Sequence, residues 1–170
     1  MKKLLFLSTI VLAGLLANAQ EDKSKRPSPP ATVSETTDNG VKITIDYSQP
    51  ALKGRKVGGE VAPYGQVWRT GANEATTFEV DKAVKVEGKE LPAGKYGLFT
   101  IPNQEEWVII FNKTPKQWGA YKYAEADDVL RVTVKAGQAP QTVERLTFTI
   151  AKTGKVTLLW GETAVEFTVE

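Results

Sequence analysis

The chain has 170 residues, 22 basic and 20 acidic, with 41% hydrophobic side chains and neither cysteine nor histidine. Length and composition suit one globular domain. The missing side chains exclude thiolate or imidazole catalysis, a Ser-His-Asp triad, and zinc-finger or haem-type ligation, because each needs a ligand or base that only Cys or His supplies at neutral pH.

In chain order, Lys2 and Lys3 precede an uncharged apolar run from Leu4 to Leu16 and then Ala17-Asn18-Ala19. Small residues stand at the two positions that a signal peptidase reads, so residues 1–19 are expected to be a cleaved secretory signal peptide. The run is shorter than the ~20 apolar residues that span a bilayer, and no cysteine follows to carry a lipid. The expectation is an exported protein, periplasmic or extracellular, without a stable membrane anchor. Cleavage removes 19 of 170 residues and leaves 151, with 20 basic against 20 acidic residues since only Lys2 and Lys3 are lost. A neutral balance gives no general attraction to phosphate backbones, so no nucleic-acid partner is expected.

Residues 20–30, containing EDKSKRPSPP, are charged and then proline-rich, which reads as a flexible leader. From Ala31 to Glu170 short runs of Val, Ile, Thr and aromatics alternate with Gly, Pro and Asn, the pattern of a single all-β domain. Asp38-Asn39-Gly40 predicts a hairpin between strands 32–36 and 41–47. In the second of these Val41, Ile43, Ile45 and Tyr47 share one face, opposite Lys42, Thr44 and Asp46. Further strands are predicted at 66–70, 76–80, 83–87, 95–101, 107–112, 129–135, 143–151, 155–160 and 164–169, with compact turns at Gly88-Lys89 and Gly161-Glu162. Tyr96, Leu98 and Thr100 alternate with Gly97, Phe99 and Ile101, so both faces of that strand carry apolar groups and it is placed centrally. Eleven strands suit a two-sheet β-sandwich, jelly-roll-like, or a barrel.

Several segments form an unusual ordered set: Tyr47-Ser48-Gln49-Pro50, Lys53-Gly54-Arg55, Pro63-Tyr64-Gly65, the block Trp68-Arg69-Thr70-Gly71-Ala72-Asn73-Glu74-Ala75-Thr76, Leu91-Pro92-Ala93-Gly94-Lys95-Tyr96, 107–112 and Gln117-Trp118-Gly119. On these the chain resembles the domain of unknown function 2911 (DUF2911), common in exported proteins of Bacteroidetes-like bacteria. The resemblance implies a secreted β-rich domain. It brings no established activity, cofactor or catalytic residue.

Two segments carry the chemistry of interest. In the 68–76 block, Arg69, Thr70, Asn73 and Glu74 interrupt strand texture. Arg69 offers a fork to carboxylate or hydroxyls, Asn73 donates and accepts, and Glu74 accepts hydroxyl protons or serves as a base. The structural alternative, preferred on sequence grounds, is an Arg69–Glu74 ion pair with Asn73 bonding the backbone of a long turn. In the second segment, 116–123, Trp118, Tyr121 and Tyr123 supply rings that stack on sugar faces or bases. Capping of the core is the preferred reading of Trp118, while Tyr121 and Tyr123 stay open. Trp68, Trp107 and Trp160 read as core.

Lys53 to Lys56 with Gly58-Gly59 offers amides and positive side chains for a small anion site but lacks the spacing of a phosphate loop, and a solvated hairpin tip is the preferred reading. Glu125, Asp127 and Asp128 lack the spaced loop of a calcium module, so no metal and no cofactor are expected. Beyond the signal, Ser24, Ser28, Ser34 and Ser48 are the only serines, none in GxSxG or SxxK. Catalysis would fall to carboxylates, with Glu74, Asp46 and Glu79 as conceivable partners. The preferred expectation is a non-catalytic binding module for a glycan or small polar ligand. The alternatives are an assembly module pairing with another envelope protein, and a carboxylate-based glycan hydrolase.

Overall fold

The computed structural model describes residues 22–170; the segment read as a signal peptide lies outside the described residues. The chain forms strands β1 (Pro30–Thr36), β2 (Lys42–Ser48), β3 (Val57–Gly58), β4 (Val61–Pro63), β5 (Thr76–Val80), β6 (Val84–Val86), β7 (Lys89–Leu91), β8 (Gly94–Ile101), β9 (Glu106–Asn112), β10 (Asp128–Ile150) and β11 (Lys155–Thr168). Short 3-10 turns at Lys23–Lys25 and Glu125–Asp127 are the only helical pieces among the described residues, and no helix is long and apolar enough to cross a membrane.

Seven strands make one antiparallel sheet in the order β1-β2-β5-β8-β9-β10-β11, with β3–β4 and β6–β7 as small appendages. The sheet curls. The far half of β10 returns to the end of β2: the Leu146 N–H donates to Pro50 O at 3.0 Å and the Leu52 N–H to Glu144 O at 2.9 Å. There the Phe148 N–H donates to the Tyr47 hydroxyl at 3.2 Å, and the two rings meet edge-on at 5.0 Å.

Alternation decides which side chains the curl encloses. Ile43, Ile45 and Tyr47 of β2, Phe78 and Val80 of β5, Tyr96 and Leu98 of β8, and Trp107, Ile109 and Phe111 of β9 line the concave side. They meet Leu146, Phe148, Val156, Leu158, Trp160, Val165 and Phe167 from β10 and β11. Each fully buried large side chain contributes about 1.5–3 kcal/mol of transfer free energy. Trp68, Trp107 and Trp160 sit in this core as expected, Trp68 stacked on Trp160 at 5.4 Å. Strand β8 is fourth of seven, the central place its two apolar faces require. Its other face joins a smaller cluster of Ala75, Phe99 and Ile110.

Three expectations need correction. Gly161-Glu162 is no turn: the chain passes through it inside β11, Gly161 taking φ +62° opposite Val143 in a ladder with shifted register. That bulge lets 155–160 and 164–169 run on as one strand, and the hairpin closes instead at Ala151 to Gly154. Likewise 129–135 and 143–151 join as the single β10, whose polar middle pairs with β11 despite its Gly and Pro. Residues 66–70 form no strand. They touch the sheet through one bridge, Trp68 to Thr100, because Thr70 turns the chain at φ +54°.

Candidate functional site

The convex face of the sheet is only partly covered. The chain after β9 crosses it from Lys113 to Asp127, and the close approach rests on Gly97, where a Cβ would lie 3.1 Å from Thr114 O and 2.9 Å from the Phe99 ring. Phe99 and Ile110 are thereby sealed under Ala120 and Tyr123. Tyr123 is a bolt in this cover. Its ring lies 5.1 Å from Phe99, its hydroxyl donates to Asp128 Oδ2 at 2.6 Å, and Arg131 Nη2 donates to that hydroxyl at 2.6 Å. Burial and the anionic Asp128 push the phenol up to about 12.

The same loop is stitched to the 68–76 turn. The Ala75 N–H donates to Gln117 O at 2.9 Å and the Gly119 N–H to Asn73 O at 3.0 Å, so Glu74 and Trp118 stand side by side as a bridged pair. The two segments singled out by sequence are therefore neighbours. The turn itself is heavily fixed. Thr70 is fully buried, its hydroxyl donating to Thr100 Oγ1 at 3.2 Å and its carbonyl accepting from Thr76 Oγ1 at 2.8 Å. A β-branched residue at positive φ costs on the order of 1–3 kcal/mol, which these bonds offset. Asn73, at φ +60°, donates through Nδ2 to Ser28 O at 3.1 Å.

The Arg69–Glu74 pair does not form. Arg69 is half-buried on the covered side near Gly119, its Nε without a hydrogen-bond partner, and burial lowers its pKa. Glu74 turns the other way, to the charged segment before β1: Lys23 Nζ donates to Oε1 at 2.8 Å, and Arg26 Nη1 reaches Oε2 at 2.9 Å. Burial raises the Glu74 carboxyl, but the Lys23 bond, its own backbone N–H and Arg26 outweigh this and hold it at about 2. Trp118 does not cap the core. It is 56% exposed, with the Arg26 guanidinium 5.9 Å from its ring centre. Tyr121 is 85% exposed.

Beside this pair the uncovered part of the convex face forms a groove of ≈ 460 Å³. Its floor is Asp46 of β2, Thr77 of β5 and Lys95 of β8; Glu74, Gln117 and Trp118 stand on the loop side. Pairing places the floor: Asp46 lies opposite Thr77 in the ladder, and Lys95 opposite Glu79. Lys95 Nζ donates to Asp46 Oδ2 at 2.9 Å and lies 3.3 Å from Glu79 Oε2. Burial raises the Asp46 carboxyl, but bonds from Lys95, Thr32 and Thr77 bring it below its ordinary value. Of the residues expected to bind, Glu74 and Trp118 line the groove. Thr70 and Tyr123 are bound up in the fold, Asn73 ties the turn, and Arg69 and Tyr121 lie outside the lining. Sequence reasoning missed Ser48, Thr77 and Lys95, because cross-strand neighbours on a polar face are invisible until strand order is known, and it missed Lys23, which reaches the groove from the segment before β1.

The acidic residues 125–128 are neutralised internally: Asp127 pairs with Lys113 at 3.0 Å, and Asp128 with Arg131 at 2.7 Å. Among the described residues no group of three or more such side chains is placed to hold a metal ion.

The ordered blocks shared with DUF2911, notably 68–76 and 117–119, thus build one structural unit, and the family's model matches residues 28–169 as a protein of unknown function. The chain belongs to the DUF2911 family. No curated protein and no solved structure matches it. The DUF2911 match contains Glu74, Trp118 and the groove floor, while Lys23 and Arg26 precede it.

Proposed function

We propose that this DUF2911 protein is a non-catalytic binding module whose groove holds a glycan or a similar small polyhydroxylated ligand. One observation carries the reading: Trp118, a large apolar ring left 56% exposed, stands at the wall of a groove floored by fixed hydrogen-bonding groups. A sugar presents an apolar face to such a ring and hydroxyls to carboxylates and ammonium groups. The Asp46–Lys95 pair and Thr77 present both acceptors and donors, and the sheet beneath holds them rigid.

In this reading the groove carboxyls serve as hydrogen-bond acceptors rather than as a catalytic acid. A glycosidase needs one carboxyl that keeps its proton near neutral pH, and a raised pKa is how that is arranged. Glu74 and Asp46 both shift downward. We further infer an exported protein, supported by the pattern in residues 2–19, and a curled sheet that works as a sandwich, supported by the packing of β10 and β11 across the core.

Thermal unfolding against a panel of soluble oligosaccharides tests the binding reading. A ligand at a hundred times its Kd adds about 2.7 kcal/mol, which raises the midpoint by roughly 5–11 °C for a domain of this size. A saturable rise with at least one oligosaccharide is expected. A flat response to the whole panel contradicts glycan binding.

A further inference from the structure

Arg26 occupies Glu74 and Trp118 in the manner of a ligand. Its Nη1 lies 2.9 Å and 3.2 Å from the two Glu74 oxygens, its guanidinium lies over the Trp118 ring, and its side chain is only 13% exposed. An aromatic face with an adjoining carboxylate is the combination that selects a flat, weakly hydrated cation over a compact ammonium. The receptor half belongs to the DUF2911 match and the occupying half lies before it. The occupant is also the less regular partner: residues 22–29 hold one short 3-10 turn and no strand.

We propose that Glu74 and Trp118 form a receptor for the guanidinium of an arginine in a peptide, filled in cis by Arg26 of the chain's own leader. The tether gives Arg26 an effective concentration in about the millimolar range, so an outside arginine competes only weakly until the leader is displaced. The inference shares the Trp118 ring with the glycan reading and differs from it in needing the Glu74 charge and in making no use of the groove floor.

The test titrates acetyl-Ala-Arg-Ala-amide into the full chain and into its Lys23→Ala/Arg26→Ala variant by calorimetry. Binding to the variant is expected to be at least about tenfold tighter than to the wild type. Adding Glu74→Gln to the variant should abolish it, and acetyl-Ala-Lys-Ala-amide should bind more weakly. Arg26→Lys keeps a cation beside Glu74, so it preserves the ion pair should the double variant fail to fold, and it should give an intermediate affinity. Equal binding by wild type and variants, or binding that survives Glu74→Gln, overturns the proposal. If the peptide fails while an oligosaccharide still raises the unfolding midpoint, only the guanidinium receptor is lost. Peptide binding without any oligosaccharide response removes only the glycan reading.

Discussion

The two faces of the central strand β8 are covered by different materials. On the concave side Tyr96 and Leu98 meet the far half of the same sheet, in an apolar interior to which the small strands β4, β6 and β7 also contribute. On the convex side Phe99 is covered by one loop, held down by Tyr123, Asp128 and Arg131. Sheet on sheet leaves no room for exposed chemistry. Loop on sheet has an edge, and the groove and the exposed Trp118 lie along it. Within single segments the same division appears: Thr70 is buried where Glu74 reaches outward, and Tyr123 is bolted down where Trp118 stays more than half exposed.

Substitutions on the two faces should separate cleanly in unfolding experiments. Trp107→Ala on the concave side removes a ring 1% exposed and should cost about 3–5 kcal/mol in urea unfolding. Tyr123→Phe on the convex side strips Asp128 and Arg131 of a shared partner, and a loss of about 1–3 kcal/mol is expected. A Tyr123→Phe protein as stable as wild type would mean that the loop is held by packing alone.

Smaller still is the acid dependence at the rim. Glu74 is depressed in the fold from an ordinary 4.5 to about 2, so its contribution is complete above 4.5 and is lost as pH falls from there towards 2. Its side chain is 40% exposed, which limits the effect to about 1 kcal/mol or less, reduced further by salt. Stability measured from pH 6 to 2 should therefore fall less steeply in Glu74→Gln than in wild type. Parallel profiles would show that the ion pairs with Lys23 and Arg26 contribute nothing to folding. Trp118→Ala should change stability least, by about 0.5 kcal/mol at most, since so exposed a ring buries little.

The concave face was far easier to read in the sequence than the convex one. Alternation in Val41 to Tyr47 and the doubly apolar β8 follow from the period of a strand and needed no partner information. The long β10 escaped because its middle, with Gly137 and Pro140, carries turn-like residues where pairing with β11 overrides local preference. Gly161 escaped for the same reason, since a bulge glycine and a turn glycine look alike in sequence. At the site, the 68–76 and 116–123 segments stood out by composition, and Glu74 and Trp118 came from them. Of the floor, Asp46 was named only as a conceivable catalytic carboxylate, while Thr77 and Lys95 read as ordinary solvent-facing positions until β2, β5 and β8 are known to lie side by side. The interaction of Lys23 and Arg26 with Glu74 links residues about fifty positions apart, and no local pattern encodes it.

The loop edge as a binding site is tested most directly by thermal unfolding of the wild type and Trp118→Ala side by side across the same oligosaccharide panel. The account predicts a saturable rise in the wild-type midpoint and none in Trp118→Ala, with the two ligand-free midpoints nearly equal. No rise in either protein, or an equal rise in both, would contradict it.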